Sequence, residues 1–304
     1  MSLETINLLA APRWNDYELV DSGEGQKLER FGAYTFVRPE VQALWKRALP
    51  EARWEAAQAI FRPSGEESGG HWQFRKKLAE RWEMQYPLDP HGSAALRFWV
   101  ETTPGRHLGV FPEGAAHWDW IYARIKQRTE TQQAVNVLNL FGYTGLATLA
   151  AAAGGARVTH VDASKKAVGW ARENQALSGL EAKPVRWIVD DALKFVEREG
   201  RRGVRYDGIL LDPPKFGRGP KGEVWEVYRS LPELLHACRG ILSEAPLFAA
   251  VTVYAVKASA LHVRTALAET MQGCGGQLDC GELVTREKSA GRLLSSAVYA
   301  RWEA

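Results

Sequence analysis

The sequence predicts an α/β protein: a seven-stranded domain of alternating strands and helices, preceded by a small α+β domain. Three observations lead there. From residue 135 onward, short β-rich apolar runs alternate with helical patterns, the rhythm of a βαβ sheet. Eight of the twelve Trp residues (14, 45, 54, 72, 82, 99, 118 and 120) fall in the first 120 positions and only four (170, 187, 225 and 302) in the rest. A chain of 304 residues also stands at the upper edge of what a single core usually holds. The two domains are expected at residues 1–128 and 129–304.

Composition narrows the function classes. With 45% apolar, 25% charged and 10% aromatic residues, the chain is an ordinary globular protein and neither disordered, coiled-coil nor collagen-like. A net charge of +3 permits a nucleic-acid partner without demanding one. Residues 1–130 carry 17 basic and 18 acidic side chains and the remainder 22 and 18, so the positive excess lies in the second part. Cys238, Cys274 and Cys280 are too few for a disulfide scaffold and form no CxxC pair, which predicts a reducing cytoplasm and no metal. No leader and no membrane-length apolar run is read from the chain.

In the first part, Tyr17–Val20 and Lys27–Phe31 flank Asp21-Ser22-Gly23-Glu24-Gly25 as a hairpin, and Tyr34–Val37 supplies a third strand. A helix is expected from Pro39, a mobile loop over 62–70, and strands at Trp82–Tyr86 and Leu96–Glu101. The Trp residues are assigned to packing, the usual role of large aromatics. In the second part, strands are expected at Val135–Leu140, Arg157–Val161, Val185–Val189, Tyr206–Leu211, Pro246–Tyr254, Gln277–Thr285 and Leu293–Trp302. The last two are too close for a helical crossover and should pair antiparallel. Ser164 should cap a helix over Lys165–Ser178 that Gly179 ends.

The chemistry collects at strand ends. Asn139-Leu140-Phe141-Gly142-Tyr143-Thr144-Gly145 runs from a strand through a glycine turn into the helical run Leu146–Ala153. Such a turn puts a ligand beyond the carboxyl edge of the sheet, with Gly142 and Gly145 admitting close backbone approach. It is not the G-x-G-x-x-G of dinucleotide enzymes, so an NAD-linked dehydrogenase is the least favoured reading. Asp162, 17 residues after Gly145, ends the next strand where a carboxylate can accept a ribose diol. Asp190 or Asp191 can accept from an adenine amino group, Asp191 being favoured, while the other caps the following helix. The fourth strand ends in Asp212-Pro213-Pro214-Lys215-Phe216, a proline-stiffened rim of acceptors suited to a substrate amino group, with Phe216 against a flat ring.

These segments, with Val161-Asp162-Ala163-Ser164, resemble the class I S-adenosylmethionine-dependent methyltransferases, in the group holding the bacterial 23S rRNA cytosine-5 and guanine-N7 enzymes. The likeness covers residues 130–304. It implies a Rossmann-like domain that binds S-adenosyl-L-methionine and acts on RNA, as in rRNA processing. Phe141, Gly142, Tyr143 and Gly145 would then line the methionine moiety, Asp162 the ribose, Asp190 or Asp191 the adenine, and Asp212 to Phe216 the target base; Asn139, Thr144, Ala163 and Asp212 are also cofactor-binding candidates. The chain has no room for the PUA domain of many relatives, and its preceding α+β domain is a candidate for substrate recognition. Leu108-Gly109-Val110-Phe111-Pro112-Glu113 stands where relatives have a polar cofactor-contacting pattern, here replaced by Pro112-Glu113-Gly114.

One departure bears on mechanism. Cytosine-5 transfer needs a thiolate to add to the ring, and the relatives' cysteine falls after the fifth strand, where this chain has Val251-Thr252-Val253-Tyr254-Ala255-Val256. Transfer to nitrogen needs only an acceptor held in line with the methyl group. Lys215, Arg218 and Lys221, and the run Arg198, Arg201, Arg202 and Arg205, are candidates for a phosphate backbone. The expectation is therefore an N-methyltransferase of an RNA base, with a protein or small-molecule N-methyltransferase as the alternative and a non-catalytic RNA module as a second.

Overall fold

A computed structural model describes residues 5–65, 69–131, 133–254 and 258–304. The chain opens with β1 (Asn7–Leu9), which pairs in parallel with a strand near the C-terminus. It then builds two units. One comprises residues 10–115 and 284–295, the other residues 1–9, 116–283 and 296–304.

The smaller unit carries β2 (Tyr17–Gly23), β3 (Gln26–Phe31), β4 (Tyr34–Pro39), a short helix α1 (Glu51–Glu55), β5 (Ala59–Pro63) and β6 (Gly70–Phe74), with sheet order β2-β3-β4-β5-β6. A separate pair follows, β7 (Trp82–Pro87) and β8 (Ala95–Val100). The hairpin and the third strand stand where the sequence places them. The helix expected from Pro39 does not form there: Pro39 ends β4, and helix α1 starts after Pro50. The intervening backbone is held by the hairpin instead, Glu24 and Gly25 N–H donating to the Trp45 and Ala43 carbonyls. Of the loop expected over 62–70, Pro63 and Gly70 pair as the ends of β5 and β6; Glu66, Glu67 and Ser68 lie outside the described residues.

Tryptophan packs this unit. Phe36 lies against Trp72 and stacks on Trp82, with ring centroids 5.6 and 5.8 Å apart. Several indole N–H groups are tied to oxygen: Trp14 to Pro112, Trp45 to Ser22, Trp54 to the Asp21 carboxylate and Trp72 to Thr103, at 2.9–3.0 Å. Asp21, fully buried, also accepts from Leu49 N–H and Ser289 Oγ.

The larger unit contains α2 (Ala115–Glu130), β9 (Asn136–Leu140), α3 (Leu146–Ala153), β10 (Arg157–Asp162), α4 (Lys165–Leu177), β11 (Val185–Val189), α5 (Ala192–Arg201) and β12 (Gly208–Leu211). It continues with β13 (Phe216–Arg218), β14 (Val224–Glu226), α6 (Val227–Arg239), β15 (Phe248–Tyr254), α7 (Ala260–Thr270), β16 (Gln277–Arg286) and β17 (Leu293–Glu303). The large sheet runs β1-β16-β17-β15-β12-β9-β10-β11, and β13-β14 form a separate antiparallel pair. All seven expected strands are present; β1 adds an eighth at the edge. β9–β12, β9–β10, β10–β11 and β12–β15 pair in parallel and β15–β17 antiparallel. Alternating strand residues enter two cores. Ile209, Leu211, Val251 and Val253 pack with α5, α6 and α7 residues, whereas Leu210, Ala250, Val137 and Val158 pack with Ile121, Ile125 and Ala151.

A boundary at 128/129 is corrected by this division. α2 belongs to the larger unit because Ile121 and Ile125 fill the core beneath β9 and β10, and residues 284–295 return to the smaller one.

Candidate active site at the carboxyl edge

Leu211, Leu140, Val161 and Ile188 stand in register across β12, β9, β10 and β11. The next residue of each strand, Asp212, Phe141, Asp162 and Val189, therefore lies along one edge. At a strand spacing of about 4.8 Å, Asp212 and Asp162 are roughly 10 Å apart, on either side of the loop that leaves β9. Three buried strand ends, Leu211, Leu140 and Val161, and the half-buried Ile188 fix this row, and the two aspartates follow where burial ends.

The loop itself is strained. Phe141 and Tyr143 take left-handed backbone angles, φ 58° and 49°, as does Gly145 at 87°. Such angles cost a non-glycine residue on the order of 1–3 kcal/mol and persist where the surroundings over-determine them. Here the surroundings are specific. Gly142 N–H donates to the Val161 carbonyl at 3.1 Å, Tyr143 N–H to Asp162 Oδ2 at 2.9 Å, and Gly145 N–H to the Gly142 carbonyl at 2.9 Å. The buried Asn174 amide donates to the carbonyl of Thr144, itself buried, at 2.9 Å. Gly145 stands at the N-cap position of α3, which has no side-chain cap.

The two glycines also lie against the protein's own side chains. A Cβ on Gly142 would come within 2.5 Å of His160 Nδ1, and one on Gly145 within 2.7 Å of the Ala171 Cβ. The missing Cβ at each lets the loop settle on the protein's own side chains. Beneath it, Asn139 Nδ2 donates to Thr148 Oγ1 at 2.9 Å, and Thr148 Oγ1 lies 2.9 Å from His160 Nδ1. Asn139 is 2% exposed, so its place is in this buried chain under the loop and not on an open surface. Burial lowers the His160 pKa to about 3, which keeps the imidazole neutral at pH 7.

Asp162 closes the second strand end. Its Oδ1 accepts Ser164 N–H at 2.8 Å while Oδ2 holds Tyr143. Burial pushes its carboxyl above the usual range, and these two bonds oppose that shift. Ala163 lies half-buried in the following turn, and Ser164 Oγ caps α4 through Ala167 N–H at 3.2 Å. At the third strand end, Asp191 is the helix cap, accepting Lys194 N–H at 3.0 Å. Asp190 pairs with Arg198 at 2.6 Å and accepts Asp191 N–H. This corrects the expected division of labour, which favoured Asp191 for a ligand and left the cap to Asp190. The cap falls to the acid immediately before the first helical residue.

The rim after β12 is partly committed to its own support. Asp212 is exposed and its N–H reaches the Leu140 carbonyl at 3.4 Å; Pro213 is buried and Pro214 exposed. The Pro214 carbonyl accepts Trp225 Nε1 at 2.7 Å, and the Lys215 carbonyl accepts Val227 N–H at 3.0 Å. The expected row of open carbonyls is thus reduced toward the Asp212–Pro213 end. Phe216 is 55% exposed in β13, with Lys215 Nζ 5.2 Å from its ring centroid. The β13–β14 hairpin escaped sequence reasoning, as did Trp225 and His160. A polar residue inside the apolar run Val158-Thr159-His160-Val161 is the signal that marks His160.

Two of the basic run are engaged locally: Arg198 pairs with Asp190, and Arg202 bonds Glu199 at 3.2 Å. Cys238 and Cys280 are buried in the core and burial pushes the Cys238 thiol up; Cys274 lies in the turn after α7. Of the segment expected to correspond to the relatives' cysteine, Ala255 and Val256 lie outside the described residues. Among the described residues no helix is long and apolar enough to cross a membrane, and no three His, Cys, Asp or Glu side chains gather as a metal site.

Comparison with known proteins gives this edge a context. Residues 34–266 match the family described as S-adenosylmethionine-dependent methyltransferase. A crystal structure of the SAM-dependent methyltransferase from Agrobacterium tumefaciens is 47% identical, superposes with a TM-score of 0.90, and covers 98% of this chain and 93% of that one. Ribosomal RNA large subunit methyltransferase K/L from Shewanella sp. (strain W3-18-1) is 38% identical over 200 residues, 64% of this chain and 26% of that protein. Ribosomal RNA large subunit methyltransferase I from Klebsiella pneumoniae (strain 342) is 37% identical over 158 residues, 51% of this chain and 34% of that protein. The match thus spans about a quarter to a third of the length of these two curated relatives.

Proposed function

The chain belongs to the S-adenosylmethionine-dependent methyltransferase family, and on that premise we propose that it methylates a base of RNA, in ribosomal RNA, at a nitrogen atom. The observation that carries the proposal is the single row formed by Asp212, the Phe141 loop and Asp162 at adjacent parallel strand ends.

The residues present fit the methyl donor. The loop from Phe141 to Gly145 offers its backbone and the uncapped start of α3 to a carboxylate. Asp162 keeps acceptor capacity beyond its two backbone bonds for a ribose diol, and Asp190 or Asp191 does so for an adenine amino group. When bound, S-adenosylmethionine supplies an electrophilic methyl group. The chain's part is to orient the acceptor: Asp212 accepts hydrogen bonds from a base amino group, Pro213 and Pro214 hold that carboxylate's backbone, and Phe216 lies along the base. Asn139 is a positioning residue under the loop.

Nitrogen is favoured because no cysteine follows β12 or β15 where ring addition would need one: Cys238 and Cys280 are buried in the core and Cys274 lies in the turn after α7. RNA is favoured by the kinship with two rRNA methyltransferases and by the exposed face of the β13–β14 hairpin, where Phe216 and Val224 stand beside Arg218 and Lys221. The test is transfer of a tritiated methyl group to RNA from cells lacking the gene, with nuclease digestion and mass spectrometry of the product. Label in a methylated nucleoside is expected; label only in protein or in small molecules defeats the RNA reading.

A further inference from the structure

Trp225 joins two parts of the site that are remote in sequence. Its indole is 6% exposed and sits in the core cluster against which Phe141 packs. One edge donates from Nε1 to the Pro214 carbonyl at 2.7 Å. The ring also meets the Phe141 ring, with centroids 4.7 Å apart and planes inclined at 57°.

Each contact adds to the backbone bonds that hold the loop and the rim separately, and joins the two. Pro213 and Pro214 have no N–H to donate, so the rim is held through its carbonyls, and Trp225 takes one of them. Phe141 is left-handed at φ 58°, a conformation maintained by surrounding contacts. The β13–β14 ladder, which pairs Gly217 with Trp225, fixes the indole relative to the rim.

We propose that Trp225 is a positioning residue that couples occupancy of the Phe141–Gly145 loop to the geometry of the Asp212–Phe216 rim. A ligand that tightens the loop fixes the Phe141 ring, the ring sets the indole, and the indole sets the Pro214 carbonyl. Because coupling is reciprocal, a base docked on the rim also favours the loop conformation that holds the donor. The proposal rests on the placement of the donor on that loop and is independent of the identity of the methyl acceptor.

The experiment is amide hydrogen exchange of the full chain with and without S-adenosylhomocysteine, beside calorimetric measurement of its binding. In the wild type, exchange should slow at least fivefold in residues 141–145 and in the rim hairpin, including the Gly219 and Val227 amides. Trp225→Phe keeps a ring and loses the bond to Pro214: its Kd should stay within threefold of wild type and its loop protection persist, while rim protection disappears. Phe141→Leu approaches from the other side, leaving the Trp225–Pro214 bond intact and losing rim protection as well, and it keeps the test standing where Trp225→Phe unfolds. Equal rim protection in wild type and variants overturns the coupling, as does a wild-type rim that does not respond. Binding without protection of residues 141–145 overturns the placement of the donor instead, a distinguishable result.

Discussion

The Asp162 carboxylate accepts the N–H of Tyr143, a residue held in the left-handed region, at 2.9 Å, so the end of β10 clamps the loop leaving β9. The second carboxylate oxygen accepts Ser164 N–H at 2.8 Å. One side chain thus shapes both turns. Asp162→Asn replaces one acceptor by an amide donor facing an N–H. S-adenosylhomocysteine affinity should fall about 10- to 100-fold, about 1.4–2.8 kcal/mol, in the range of a hydrogen bond to a charged group. Calorimetric titration measures it, and an unchanged Kd removes Asp162 from the donor site.

Asp212 stands apart from that clamp, on the β12 side of the loop. Asp212→Asn should lower kcat by about 100-fold or more, through lost orientation of the acceptor, while S-adenosylhomocysteine binds within about threefold of wild type. Single-turnover methyl transfer with the same RNA pool separates the two effects. A loss confined to cofactor affinity would move Asp212 to the donor side.

Gly142→Ala drives a Cβ to 2.5 Å from His160 Nδ1. Overpacking of this kind costs about 1–3 kcal/mol, a few degrees in Tm. The cost should shrink in a His160→Ala background, which vacates the ring's space. A double-mutant cycle by thermal unfolding checks it; purely additive effects would mean that Gly142 is required for its backbone alone.

The buried His160 has its pKa lowered to about 3, against about 6.5 in an unfolded chain. The unfolded state therefore binds more protons between those values. This contribution is intact above pH 6.5 and is lost as pH falls toward 3, at up to about 1.4 kcal/mol per pH unit. His117 and His107, with pKa values also lowered to about 3 by burial, act in the same direction. Urea unfolding at pH 7 and pH 5 should show lower stability at pH 5, by about 2 kcal/mol less in a His160→Gln variant than in wild type.

Arg218 and Lys221 lie on the hairpin beside the exposed rim. Removing each charge should weaken RNA binding and reduce the slope of log affinity against log salt by about one. Filter binding from 50 to 200 mM salt reads this directly, and an unaltered slope excludes phosphate contact at that residue.

Much of the larger unit was legible because strand ends announce themselves. Val137–Leu140, Val158–Val161 and Ile209–Leu211 are apolar runs cut off by a glycine turn or an acid, and parallel strands buried on both faces must read that way. Capping at Ser164 was equally local. The β13–β14 hairpin was not legible, since three-residue strands carry no periodicity. Nor was the inward role of Asn139, since the partners Thr148 and His160 come from other elements. Pro39 misled because a proline suits the end of a strand as well as the start of a helix. The division of the chain was hidden for a related reason: β16 and β17 are continuous strands, and nothing in their composition changes where membership passes from one unit to the other.

That discontinuity has a consequence for biosynthesis. Residues 10–115 of the smaller unit leave the ribosome well before residues 284–295, yet Ser289 Oγ bonds to Asp21, Arg292 bonds to the Ser22 carbonyl, and the Lys288 and Ser289 amides donate to the Leu19 and Val20 carbonyls. Those partners are made some 270 residues later. The sheet that holds β2 therefore stays short of these bonds, its Asp21 carboxylate held by Leu49 and Trp54 but lacking the Ser289 hydroxyl, until residues 284–295 have been translated. Completion of the smaller unit then serves as a check that the chain has been synthesised past residue 295.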